Sequence, residues 1–410
     1  MKGTRRFSGL MVAVVMAVVV ALVAVPACAP APAPTPEPEK EWPDVLKIGA
    51  VFSMTGMGAW WGQVMTEGAT LAVEHINASG ELPFKLELVV GDHKSGDVDA
   101  AVSAMRKMVT ADHPVAVMVS FPQITFALAP LAEELQIPLL NAGGSAPSQV
   151  GIPWVHNTRV LQDMLTDPLL KYFSEDLGLT KLAVLYMNEP GSIESMAYVE
   201  EKAPKYGITI VLTEATAVFV TEHRSYLAKV KAQLADIDSL MLQQGGAPDM
   251  GYQARQAREM GIDVPICGPL DVPLPGIEAA GEYWDGVYIT AEYLDTNCEA
   301  ALCRKFVDDY TAKFGTVPDP YSALYYEEVL VVRDCIKYLL AEGRDPFDGA
   351  EIEAAIKEIK FFPSIFYGGG EMELLPNGGC VRPIALKQYD YELGKYVIVE
   401  MVIPPAPVVK

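Results

Sequence analysis

Histidine is scarce and scattered in this 410-residue sequence: the five copies, His75, His93, His113, His156 and His223, are each isolated from the others. No His-Glu-x-x-His helix, Gly-x-Ser-x-Gly elbow or Gly-x-x-x-x-Gly-Lys loop occurs, so the local signatures of zinc peptidases, serine hydrolases and phosphate-loop enzymes are missing. Each histidine reads as a surface or packed residue. Cysteine is also sparing, with six residues, no Cys-x-x-Cys pair and no histidine close by, which argues against a metal site. Basic residues are few: 31 Lys and Arg face 53 Asp and Glu, for a formal charge of −22. So acidic a surface repels phosphate backbones, and nucleic-acid binding is not expected. The charge of a ligand is a separate matter, set by its local site.

A full membrane span is missing as well. The apolar run from Leu10 to Val25 has sixteen residues, short of the roughly 20 that a crossing helix needs. Lys2, Arg5 and Arg6 stand before it, and Val25-Pro26-Ala27 leads into Cys28. A basic start, an apolar run and a small-residue exit make a secretory signal over residues 1–27. An aliphatic residue three before the cysteine and a small one directly before it make a lipobox, so an acylated Cys28 is expected to begin the mature chain. Residues 28–44 repeat Ala, Pro and Thr with Glu, a composition that buries no core and serves as a tether. The alternative is a spanning anchor with Cys28 incidental. In both readings the folded part lies outside the cytoplasmic membrane.

Beyond the tether, half of all residues are apolar and the chain is long enough for two domains. Short β-branched runs alternate with helical periodicity. Leu46–Phe52, Leu86–Val90, Val115–Val119 and Ile137–Leu140 read as buried strands, and Trp61–Asn77 and the segment from Val98 to Val109 as helices. The sequon at Asn77 reads as a helix cap. A second set places strands at Lys181–Tyr186, Ile208–Thr213, Ser239–Gln244 and Val264–Gly268, with a helix at Met250–Met260. Such alternation makes parallel sheets covered on both faces, because a parallel crossover needs a helix-length connection. The expected fold is α/β, with two doubly wound parallel-sheet lobes. Downstream, Gly286–Tyr293 reads as a strand, and Ala300–Phe314, Ser322–Ala341 and Glu351–Ile359 as helices that complete the two lobes.

Ligands of open parallel sheets sit beyond the carboxyl ends of the strands, at topological switch points. The loops at Ser53–Trp61, Ser120–Thr125, Asn141–Pro147, Met187–Ser192 and Pro269–Pro275 are therefore the candidates. Gly56, Gly58 and Gly62 approach a dinucleotide fingerprint, but Trp60 and Trp61 fill the place where a pyrophosphate needs bare backbone. The segment is either a plain strand-to-helix turn or a turn whose indole lines a pocket.

The stretch Leu46–Leu82, LKIGAVFSMTGMGAWWGQVMTEGATLAVEHINASGEL, resembles the opening of the leucine/isoleucine/valine-binding proteins, type I periplasmic binding proteins of ATP-driven importers. Asn141–Ser148, the VHNTR stretch ending at Arg159, and Met250–Pro269 agree with it. The resemblance covers everything after the tether. It implies two lobes joined by three crossovers, near Asn157, Thr290 and Phe366. Lobe 1 would hold 45–157 and 291–365, and lobe 2 would hold 158–290 and 366–410. It further implies a monomer without catalysis, cofactor or metal, partnered by an ABC permease and ATPase.

Carried onto this chain, the resemblance makes Trp61 a wall of the side-chain pocket. Ser120, Phe121 and Gln123 belong to its first polar loop, and Gly143, Gly144 and Ser145 to the loop that meets a ligand's carboxylate and ammonium. Asn188 and Ser192 stand in the loop of the second lobe, and Asp271 is one residue from the expected acidic position. Asp271 is either an ammonium partner or a solvated loop aspartate. The loop Met187–Ser192 lacks the customary aromatic residue. Cys298 and Cys303, five apart in an exported chain, are expected to pair. The function implied is capture of a small polar ligand, an amino acid or related amide, for import. The alternative is a sensor of the same fold that signals to a membrane receptor.

Overall fold

The computed structural model describes residues 41–244, 248–404 and 406. The signal, Cys28 and the tether as far as residue 40 lie outside the described residues. β1 (Val45–Phe52), β2 (Lys85–Asp92), β3 (Val117–Val119), β4 (Leu139–Asn141) and β5 (Val155–Asn157) form a five-stranded sheet in the order β2-β1-β3-β4-β5, every pair parallel. β1 is buried along most of its length, as a central strand covered on both faces must be. The helices Ala59–Ser79, Val98–Asp112 and Pro122–Leu135 make the crossovers. Asn77 lies inside the first of these and is not its cap. Its side-chain amide donates to the Leu86 carbonyl and its Oδ1 accepts from the Leu86 N–H, both at 2.8 Å. The helix ends at Gly80, at φ +68°.

The second lobe is built on β6 (Lys181–Met187), β7 (Thr209–Thr216), β8 (Ser239–Gln243), β9 (Ile266–Pro269) and β10 (Tyr288–Ala291), again all parallel. Successive side chains of a strand face opposite ways. Leu182 and Val184 accordingly enter one apolar core with Phe173, Met196 and Ile208, while Ala183 and Leu185 enter another with Leu227, Met250 and Trp284. The sheet is wound on both sides.

The last strands depart from the sequence expectation, which placed no strand after Tyr293. β11 (Phe361–Ser364), β12 (Gly370–Leu374) and β13 (Cys380–Val381) form a small antiparallel sheet. β14 (Ile384–Asp390) then joins β10 antiparallel, and β15 (Lys395–Val402) forms the outer edge, giving the order β15-β14-β10-β9-β8-β6-β7. The second lobe is therefore mixed rather than wholly parallel.

The third connection also falls later than Phe366. Gly151 N donates to Asn377 O at 2.7 Å, and Asn157 N to Gly378 O at 2.8 Å, so this segment packs on the five-stranded lobe. The chain changes lobes between Val381 and Ile384, and residues 366–381 belong with lobe 1. Their strands are only five and two residues long and pair with near neighbours, too short for periodicity to reveal them. The other two connections run from β5 into the helix Gln162–Lys171 and from β10 into the helix Ala301–Phe314. Cys298 and Cys303 are disulfide-bonded in the second of these, while Cys267, Cys335 and Cys380 are buried thiols.

Candidate ligand-binding cleft

The parallel strands of both sheets reverse their order once, between β1 and β3 in the first lobe and between β6 and β8 in the second. At such a point the flanking loops diverge and leave a crevice beyond the strand ends. The two crevices meet in one cavity of about 70 Å³, small beside the roughly 300–1,000 Å³ of a drug-sized site. Trp61, Phe121, Gln123, Gly143 and Ser145 line it from the first lobe, and Met187, Glu189, Val218, Phe219 and Gln244 from the second. Gln162, which opens the helix Gln162–Lys171, and Tyr321, in the first turn of the helix Pro320–Ala341, complete the wall with Met65 and Pro122.

The glycine-rich turn before Trp61 is shaped by packing. A Cβ on Gly62 would lie 2.1 Å from the Ser53 carbonyl, so only glycine lets the helix Ala59–Ser79 start so close to β1. That start delivers Trp61, 6% exposed, to the cavity. Its ring stands edge-on to Phe121 (centroids 5.8 Å apart, 89° between planes) and within 5.9 Å of Phe219. Phe121 and Phe219 are 6.2 Å apart across the cleft. The aromatic residue missing from Met187–Ser192 is thus supplied by the next loop, after β7. Sequence reading overlooked Phe219 because it ended that strand at Thr213, three residues early.

Phe121 is held at φ +68°, a left-handed conformation unusual for an aromatic residue, directly before Pro122 opens its helix. His93 supports it from behind, with ring centroids 5.0 Å apart. Nδ1 of His93 accepts from Gly96 N at 3.0 Å, so Nε2 carries the proton and donates to Ser120 Oγ at 2.9 Å. Burial pushes His93 down to about 4 and keeps it neutral. Ser120 is consequently occupied behind the cavity and does not line it.

The next loop is fixed by Asn141. Its Oδ1 accepts from Gly144 N at 2.8 Å, and its Nδ2 donates to Gly144 O at 2.9 Å and to Asn157 Oδ1 at 2.7 Å. Gly144 is therefore a support, while Gly143 and Ser145 face the cavity. Ser145 Oγ accepts from Gln162 Nε2 at 2.9 Å, and Gln162 Oε1 accepts from Gln243 Nε2 at 3.1 Å. This run of side chains links the loop after β4 to strand β8 of the other lobe. The Ser145 hydroxyl proton remains available to a ligand.

The expected residues of the second lobe fare differently. Asn188 is exposed and Ser192 is fully buried in the first turn of the helix Pro190–Lys202, and neither lines the cavity. Asp271 is 6% exposed, so it is not a solvated loop carboxylate, and it also does not line the cavity. Lys387 of β14 binds its Oδ1. Burial raises the Asp271 carboxyl from the usual carboxylate range, and the Lys387 ammonium opposes that rise. Gln162, Glu189, Gln244 and Tyr321 carried no isolated sequence signal; their loops or helices had to be placed in space first.

The comparisons with known proteins agree with this architecture. A family model described as periplasmic binding protein matches residues 45–392. The Leu/Ile/Val-binding protein homolog 7 of Brucella abortus is 24% identical over 335 residues, covering 77% of this chain and 81% of that protein. Among solved structures, the branched-chain amino acid transporter substrate binding protein LivJ from Streptococcus pneumoniae, in complex with isoleucine, superposes with a TM-score of 0.76 at 24% identity, covering 88% of this chain and 100% of that one. An ABC transporter solute binding protein from R. palustris, in complex with benzoate, gives a TM-score of 0.76 at 19% identity, covering 88% and 97%.

Proposed function

The chain belongs to the periplasmic binding protein family, and we propose that it is the substrate-binding lipoprotein of an ABC importer, taking a small polar ligand into the cleft between its lobes. The family places the folded chain outside the cytoplasm, and the relatives it matches are solute-binding proteins rather than enzymes. The observation that carries the proposal is the single cavity at the switch points of both sheets, lined from both lobes. A ligand held there touches both lobes at once, so it favours the closed form over the open one, which is the condition for ligand-driven closure.

Ser145, the Gly143 backbone and the first turn of the helix Pro122–Leu135 hold the ligand's polar head. Unpaired N–H groups and the helix dipole converge at that turn, where Phe121 provides no side-chain cap. Trp61, Phe121 and Phe219 enclose the apolar body. Acylated Cys28 and the Pro-rich tether keep the receptor beside its permease.

A thermal-shift screen of amino acids, amides, urea and aromatic acids tests this reading. A ligand at 100 times its Kd stabilises the protein by about 2.7 kcal/mol. Small-angle scattering with that ligand should then show a smaller radius of gyration. A screen without any stabilising compound, or an unchanged radius at saturation, sinks the cleft as a capture device.

A further inference from the structure

Whether the ligand carries an ammonium group depends on which carboxylates near the cleft can face one. Asp271 does not line the cavity. Lys387 binds its Oδ1 with a side chain 3% exposed, and the Lys387 ammonium also stands 4.7 Å from the Tyr396 ring centroid and 5.9 Å from that of Tyr293, while Asp271 Oδ2 has no hydrogen-bond partner among the described residues. The chain thus supplies its own ammonium to the carboxylate that the sequence left open as either an ammonium partner or a solvated loop aspartate.

Glu189 lines the cavity, but its carboxylate is turned to the helix behind it. Oε2 accepts from Gly191 N at 2.9 Å and Oε1 from Ser192 N at 2.5 Å, which makes Glu189 the cap of the helix Pro190–Lys202. The other hydrogen-bonding side chains of the lining are Trp61, Ser145, Gln123, Gln162, Gln244 and Tyr321, all uncharged. Gln244 accepts from Thr216 Oγ1 at 3.1 Å and donates one of its two N–H groups to the Leu185 carbonyl at 3.0 Å. A buried ammonium would lose its hydration here and find only the Glu189 carboxylate, already engaged as a helix cap. A carboxylate, in contrast, meets the Ser145 hydroxyl and, in the first turn of Pro122–Leu135, the N–H groups of Gln123 and Ile124, since Pro122 has none and Thr125 N donates to the Phe121 carbonyl.

From this pattern we infer that the ligand is a small carboxylic acid without an α-ammonium group, its carboxylate at Ser145 and its flat or branched body between Trp61, Phe121 and Phe219. The inference rests on the binding-protein reading above and narrows its ligand.

Calorimetric titration of the full chain with matched pairs decides it: 3-phenylpropionate against phenylalanine, and 4-methylpentanoate against leucine. The amine-free acid should bind at least about tenfold tighter than its amino acid, the preference expected when an ammonium is desolvated without a partner. Equal or tighter binding by the amino acid in either pair overturns the inference and leaves the binding-protein reading intact. If neither pair nor any compound of the thermal-shift screen binds, both fall together. Glu189→Gln adds an independent arm, since removal of a negative charge from the cavity wall should tighten acid binding several-fold. Should wild type bind leucine and Glu189→Gln abolish that binding, Glu189 is the ammonium partner and the inference fails.

Discussion

Arg159 and Glu292 tie two of the three inter-lobe connections together. Arg159 Nη2 lies 3.0 Å from Glu292 Oε2, and Val160 N donates to Glu292 Oε1 at 2.7 Å. Both side chains are at most 3% exposed, and Arg159 also donates to the Ala142 carbonyl, just before the loop that carries Gly143 and Ser145. A buried ion pair is costly to break from one side, because the remaining charge loses its partner without regaining water.

Glu292→Gln should therefore destabilise the protein by about 3–5 kcal/mol. Burial alone would raise the Glu292 carboxyl, but Arg159 and Arg382 outweigh it and hold the group below its ordinary value. A carboxyl depressed in the folded state stabilises above its unfolded pKa, and that contribution is lost as pH falls through the folded value. Denaturant melts from neutral pH downward should show wild type losing stability on acidification more steeply than Glu292→Gln. Parallel curves would remove Glu292 as a source of that loss.

His93 acts in a higher window. Its value falls to about 4 in the folded protein against about 6.5 when unfolded, so the unfolded chain binds the extra proton between those limits. Stability from the neutral ring is complete above the upper limit and declines toward the lower one, by about 3 kcal/mol in all. His93→Gln should flatten the stability profile across that window. The same slope in wild type and variant would assign the loss elsewhere.

Gly143 leaves almost no room for a side chain. A Cβ would stand 2.6 Å from Tyr325 Oη and 2.7 Å from Ser120 Cβ. Gly143→Ala should cost about 1–3 kcal/mol through overpacking and weaken binding as the loop shifts. Ser145→Ala should preserve stability better and weaken binding by about 1–3 kcal/mol, the usual consequence of an unsatisfied buried partner. Trp61→Ala should also weaken binding and change the preference among apolar bodies. Calorimetry showing wild-type affinity for both Ser145→Ala and Trp61→Ala would place the ligand elsewhere.

Asp271→Asn separates a structural role from a binding one. The substitution leaves the Lys387 ammonium without its counter-charge in a buried site, so melting of the ligand-free protein should drop by an equivalent of about 3–5 kcal/mol. A variant that melts like wild type would mean that Lys387 finds water or another partner.

Cys28→Ala should release the protein from the membrane fraction, because the lipid and not the apolar run is proposed to anchor it. Fractionation that does not change, with an uncleaved N-terminus, would make residues 10–25 a spanning anchor.

Local periodicity carried much of the fold. β1, β2, β6 and the helices Ala59–Ser79 and Ala301–Phe314 were legible because apolar spacing of two or 3.6 residues survives in the linear chain. The glycines and tryptophans after β1 marked Trp61 in the linear chain, and Gly143 and Ser145 came only from the resemblance; the structure puts all three on the cavity wall, with a binding role proposed for each. Tertiary structure decided the rest. β11, β12 and β13 are too short to show a period, β14 takes its place only by pairing with β10, distant in the chain, and the third connection moved with them. Phe219 reaches the cleft only because β7 lies beside β6, and Asp271 is withdrawn from it only because β14 returns antiparallel to β10 and brings Lys387 116 residues back along the chain. Spacing along a sequence sets which face a side chain takes; which partner already fills that face is fixed only when distant strands meet.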